Sequence, residues 1–107
     1  RVILKGSPGK TMTDQIQQFV DALNAKFPGK RYAAMPGRKN VRITVQNIYN
    51  GEIDAQRSAY CFIRKEDGAI FKADGWKGPA KGVRARLDQV LATNLQQVDE
   101  FTGWLYC

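Results

Sequence analysis

The sequence predicts an α+β fold, an antiparallel sheet of three to five strands packed with an N-terminal amphipathic helix and a C-terminal helix. Apolar residues recur at helical spacing across residues 12–27 and again across 83–98. Between them, Val41, Ile43 and Val45 alternate with Arg42, Thr44 and Gln46, the period of a half-buried strand. Asn50-Gly51 and Glu66-Asp67-Gly68 supply hairpin turns between apolar runs.

The first helix is read from Met12, Ile16, Phe19, Val20, Leu23 and Phe27, which form one stripe. Thr11 followed by Asp14 makes a capping box with Asp in place of the preferred Glu or Gln. The negative charge of Asp14 also suits the positive helix start, and Pro28-Gly29 ends the helix. The preceding Gly9-Lys10-Thr11 resembles the end of a phosphate-binding loop, but Leu4 stands where the full pattern needs glycine. It is read as a turn before a helix and is not expected to bind nucleotide.

Strands are expected over 31–35, 41–45, 59–64 and 69–73, with Ile48-Tyr49 and Glu52-Ile53 flanking the Asn50-Gly51 turn. If Glu66-Asp67-Gly68 is a three-residue loop with Gly68 left-handed, Ile63 pairs with Phe71 and Cys61 with Ala73. The opposite face then carries Tyr60, Phe62, Arg64, Ile70 and Lys72. Aromatics interleaved with cations on a sheet face suit stacking recognition of unpaired bases. The plainer reading is that a second helix buries those aromatics. That helix is expected from Pro79 onward, its regular part starting near Val83 because Gly82 weakens the first turn.

Residues 69–87 link this sheet to this helix and carry the densest charge. Lys72, Lys77, Lys81, Arg84 and Arg86 stand against one acid, Asp74, with Trp76 and Pro79 among them. The cations suit phosphates and the indole offers a stacking surface. The alternative is that Trp76 seals the edge of a core while the cations solvate a helix start. Arg38, Lys39 and Arg42 supplement the candidate site.

The 107 residues suffice for one domain, 1–107, with a modest core, and 43% hydrophobic content argues against disorder. No apolar run approaches membrane-spanning length and no secretory leader is recognisable, so the expectation is a soluble cytoplasmic protein with no membrane partner. All 17 Lys and Arg lie in residues 1–86 with 7 of the 10 acids, and the remaining 3 acids lie in 87–107. Such polarity suits a polyanionic partner, nucleic acid ahead of anionic membrane.

Cys61 sits in an apolar strand pattern, where free cysteine acts as a small hydrophobe. With Cys107 as the only other cysteine, no disulfide framework is indicated. The chain has no histidine, which removes the imidazole base of Ser or Cys nucleophiles and imidazole metal ligation. Asp54, Glu66, Asp67 and Asp74 lie near turns, the usual place of solvated caps. The expectation is a non-enzyme without cofactor or metal.

The order helix, antiparallel strands, helix resembles a double-stranded-RNA-binding domain. In that family a basic cluster at the second helix start contacts phosphates, and K-G-P-A-K-G-V-R at 77–84 is similar in place and charge. The family's histidine-containing loop is missing, and Gly78-Pro79 interrupt the cluster. Separately, W-K-x-P-A-K-x-x-R over 76–84 looks like a pattern of small phage-encoded proteins, implying a viral or mobile-element origin and an infected bacterial host.

Two functions follow. The first is a small basic protein binding nucleic acid largely without sequence preference, with single strands slightly favoured over duplex. The second is a protein-interaction module, such as a virion component, inhibitor or homo-oligomer, built on the apolar F-T-G-W-L-Y-C at 101–107.

Overall fold

The computed structural model describes residues 11–98, and these form an α+β fold of two layers. In chain order the elements are α1 (Met12–Lys26), β1 (Lys30–Pro36), β2 (Asn40–Tyr49), β3 (Glu52–Ile53), β4 (Ser58–Arg64), β5 (Ala69–Lys72), β6 (Ala85–Arg86) and α2 (Leu87–Ala92). The sheet is antiparallel in the order β1-β2-β4-β5-β6, with β3 paired to the far end of β2.

α1 begins as its sequence requires. Thr11 Oγ1 accepts from the Asp14 N–H at 3.1 Å, and Asp14 Oδ2 accepts from the Thr11 N–H at 3.4 Å. The Thr11 hydroxyl is thus a helix cap; Gly9 and Lys10 lie outside the described residues. Ile16, Phe19, Val20 and Leu23 are buried, and the helix covers one face of the sheet. That inner face presents Tyr32, Val41, Ile43, Tyr60, Cys61, Ile63 and Ile70. α2 and the turn after it add Leu87, Val90, Leu95 and Val98 to the same core.

At the second hairpin the register differs from the sequence expectation by one residue. Ile63 pairs with Ile70, Phe62 with Phe71 and Cys61 with Lys72. The connection is a four-residue turn, 65–68, in which the Gly68 N–H donates to the Arg64 carbonyl at 2.8 Å and Gly68 is left-handed at φ 75°. A one-residue slip exchanges faces. Ile70 and Lys72 therefore join the inner face, and Phe71 joins Phe62 on the outer one.

Tyr60 is a second correction. The β2–β4 register shifts between Ile43 and Thr44, so that Ile43 opposes Cys61 while Thr44 opposes Ala59. The extra residue is Tyr60, and the bulge turns it inward. It packs edge-to-face on Tyr32, ring centroids 5.1 Å apart, and belongs to the core.

The third correction concerns the second helix, which starts at Leu87 and not near Val83. Val83 is exposed, and Ala85-Arg86 continue the sheet against Ala69-Ile70. The basic segment 77–84 is therefore a hairpin limb rather than a helix start. Beyond α2 the chain turns through Asn94 and Leu95, both with positive φ (54° and 58°). Lys26 Nζ, at the end of α1, donates to the Leu95 and Val98 carbonyls, and so ties the two helical ends together.

Candidate nucleic-acid interface

Both helices pack on the inner face, and the described residues place no helix on the outer one. Two hairpins meet there. The first joins β1 to β2 through 37–39, where the Gly37 N–H donates to the Asn40 carbonyl at 2.9 Å. The second leaves β5 and is closed by an antiparallel bridge between Ala73 and Pro79. The Asp74 N–H donates to the Gly78 carbonyl (2.9 Å) and the Ala80 N–H to the Lys72 carbonyl (2.8 Å). Gly75, at φ 80°, turns its tip.

That tip rests on Arg42. On β2, Arg42 pairs with Phe62 of β4, so both side chains project outward. The guanidinium carbon lies 5.6 Å from the Phe62 centroid and 4.4 Å from the Trp76 centroid. Nε also donates to the Trp76 carbonyl at 2.8 Å. A planar cation suits this place because it offers both a stacking face and directed N–H groups. Phe62 is 3% exposed and Trp76 40% exposed. Trp76 is thus half a seal, with one ring face given to Arg42, and half an available surface.

A second group lies along the same face. Arg64 forms two hydrogen bonds to Asp67, 2.9 and 2.6 Å, and its guanidinium carbon stands 5.3 Å from the Phe71 centroid. Arg86 approaches the same carboxylate at 3.9 Å. The Arg64 hydrogen bond, reinforced by the Ala69 N–H, holds the Asp67 carboxyl well below the usual carboxylate range. Arg64 and Arg86 therefore share a counter-charge within the fold.

The cleft between the two hairpins measures about 230 Å³ and is lined in part by Arg38, Lys39, Arg42, Phe62, Lys77 and Pro79. On its other side the 37–39 turn borders a wider depression of about 610 Å³ with Arg64, Lys65 and Glu66. Donation from the Lys65 N–H to the Lys39 carbonyl at 2.9 Å fixes that turn to the end of β4. Arg38 and Lys39 line both depressions.

Of the residues singled out in sequence, Arg38, Lys39, Arg42, Phe62, Arg64, Trp76, Lys77 and Arg86 come together on this side. Tyr60 is in the core, and Lys72 aligns with Cys61 on the inner-face register. Lys81 and Arg84 are exposed on the return limb of the second hairpin and line neither depression. Sequence reasoning missed Phe71, Lys65, Arg31 and Arg57. Arg31 neighbours the inward Tyr32 on β1 and so projects outward by alternation. Arg57 Nη1 reaches Met35 Sδ at 3.6 Å. A four-residue reading of the turn before Gly68 would have found Phe71.

The chain belongs to DUF7717, a family of unknown function. Its model matches residues 8–107, so both hairpins and both cation groups lie within the extent of DUF7717. No curated protein and no solved structure matches the chain.

Other chemistry is sparse among the described residues of this DUF7717 member. No group of three or more Cys, Asp or Glu is placed to hold a metal ion. Cys61 is fully buried, and burial raises its thiol pKa, which disfavours the reactive thiolate. Among the described residues no helix is long and apolar enough to cross a membrane. The apolar residues 101–107 and Cys107 lie outside the described residues, and with them the interaction surface expected there.

Proposed function

We propose that the outer sheet face binds nucleic acid without catalysis, largely independently of sequence, through phosphate contacts and aromatic stacking. One observation carries this reading: the second hairpin brings Trp76 and Lys77 onto Arg42 and Phe62, beside Arg38 and Lys39, on a face that neither helix covers. Cations of that density attract a polyanion through counterion release. A half-exposed indole and the half-buried Phe71 offer ring surface that suits unpaired bases better than a closed duplex. Single strands are accordingly the favoured partner, and the reading carries a cytoplasmic location with it.

The test is a titration of the full chain against single- and double-stranded DNA and RNA of one length at several salt concentrations. Binding should weaken steeply as salt rises. Replacing Arg38 and Lys39 together by Ala should flatten the log–log salt slope by about 1.4 for single strands, the release expected for two phosphates. The Lys81 and Arg84 double replacement should change it less. Absence of binding to every polymer at low salt, with the protein folded, would end this proposal.

A further inference from the structure

The cleft between the two hairpins has a composition that the rest of the outer face lacks. Arg38, Lys39 and Lys77 supply positive charge, Met35 and Pro79 supply apolar wall, and Phe62, buried beneath Arg42, closes the floor. Among the described residues no acid lines it; the wider depression on the other side of the 37–39 turn includes Glu66. Both walls are held. Gly37 is tied to Asn40, and Pro79 is bridged to Ala73. Arg42, between Phe62 and Trp76, fixes the distance from floor to tip. A phosphate-tracking groove needs the cations alone. An apolar lining within a cationic surround is what a base attached to its phosphate requires.

Size selects the occupant further. A volume of about 230 Å³ falls below the ~300 Å³ at which pockets for drug-sized ligands begin. It suits one planar ring system and not a stacked run. A base inside a duplex is paired and covered above and below, so it reaches such a cleft only when unpaired and turned out of the stack.

We infer that this cleft takes one unpaired nucleotide of a single strand, its base against Met35 and Pro79 and its flanking phosphates near Arg38, Lys39 and Lys77. The strand then crosses the 37–39 turn toward Arg64 and Lys65, which makes that turn the centre of the footprint. This rests on the nucleic-acid reading above and adds to it a base-holding position separate from the Trp76 ring.

The experiment compares a twelve-residue thymidine strand with an abasic strand of the same length and charge, both against the full chain at one low salt concentration. Identical phosphates leave the bases as the difference. The thymidine strand should bind at least about fivefold more tightly, the low end of what one stacked base contributes. A strand carrying 4-thiothymidine, irradiated in the complex and mapped by mass spectrometry, should cross-link within residues 35–42 or 77–79. Equal affinity for the two strands would overturn the cleft assignment while leaving phosphate binding intact. Cross-links confined to Trp76 or to residues 81–86 would also overturn it. Binding of neither strand would remove the nucleic-acid reading itself, and this inference with it.

Discussion

Arg42 and Trp76 hold each other twice: Nε donates to the indole residue's own carbonyl at 2.8 Å, and the guanidinium carbon lies 4.4 Å from the ring centroid. The contact joins β2 to a hairpin tip thirty-odd residues later and gives that tip its position over Phe62. Local pairing of Ala73 with Pro79 closes the hairpin; Arg42 ties its tip to β2.

Arg42→Ala should therefore release the tip more than it unfolds the domain. The cation–π part of the contact is worth about 0.5–1 kcal/mol at an exposed site, a modest share of a small domain's stability. Amide exchange at residues 74–78 should quicken and tryptophan emission should shift red, while protection in β4 stays. Arg42→Lys should not restore the wild-type values, because an ammonium offers no plane to stack. Unchanged exchange at the tip in Arg42→Ala would show that the hairpin positions itself.

Asp67 links acid stability to the binding face. Its carboxyl titrates below the ordinary range, chiefly because Arg64 hydrogen-bonds the charged form. A carboxylate depressed in the folded state contributes stability that is complete above its unfolded value near pH 4 and is lost as pH falls toward the folded value. Asp67→Asn should thus lower the unfolding midpoint at pH 7, with the difference from wild type shrinking below about pH 3 and in high salt. The same variant releases Arg64 and Arg86 from their shared counter-charge, so polyanion binding should tighten and its salt slope steepen. Weaker binding by the folded variant would mean that Asp67 orders those two arginines for the ligand instead of competing with it.

Gly68 is needed on two grounds, its left-handed backbone and its neighbours. A Cβ there would stand 3.3 Å from Leu87 Cβ and 3.3 Å from Met12 Cε. Gly68→Ala should cost about 1–2 kcal/mol for the backbone conformation alone, and more where Leu87 cannot withdraw. Gly51 has a similar φ of 81° but open space around its Cβ position, so Gly51→Ala isolates the backbone part. Chemical denaturation should rank Gly68→Ala as the more damaging. Equal losses would show that the Leu87 side gives way freely.

That glycine also explains how much of the molecule was legible. The α1 stripe, its Thr11–Asp14 cap, the alternation of 41–45 and the Asn50-Gly51 hairpin are local signals, and local chemistry decided them. The pairing of β4 with β5 turned on whether Lys65 belongs to the turn, and a single residue moved Phe71 outward and Ile70 and Lys72 inward. Tyr60 moved inward by a bulge that no residue type announces. Val83 fits the helical spacing of Leu87 and Val90, yet sheet pairing at Ala85 and Arg86 takes the chain first. The candidate site was legible as a set of residue types, Trp76 with its lysines and arginines. Its centre was not, because 37–39 and 77–79 are distant in sequence and meet only in the folded sheet, where Arg42 contacts the second hairpin's tip.

Among the described residues β1 is terminal in the strand order, and an edge strand offers unpaired backbone groups to other chains. Here Asn24, on α1, treats Tyr32 as a strand partner would. Its Oδ1 accepts from the Tyr32 N–H at 2.7 Å, and its Nδ2 donates to the Tyr32 carbonyl at 3.0 Å. One side-chain amide thereby closes the middle of the edge and locks the helix to the sheet in register. Asn24→Ala leaves both backbone groups without that partner, at a cost of about 1–3 kcal/mol for each that water does not reach. Asn24→Asp should be intermediate, since the carboxylate still accepts from the Tyr32 N–H but repels the carbonyl. Light scattering should show Asn24→Ala associating with rising concentration where wild type does not, through pairing at the opened β1 edge. A variant that loses stability and stays as dispersed as wild type would assign Asn24 to helix docking alone, and would leave the charged flanks Lys30 and Arg31 as the groups that keep this edge apart.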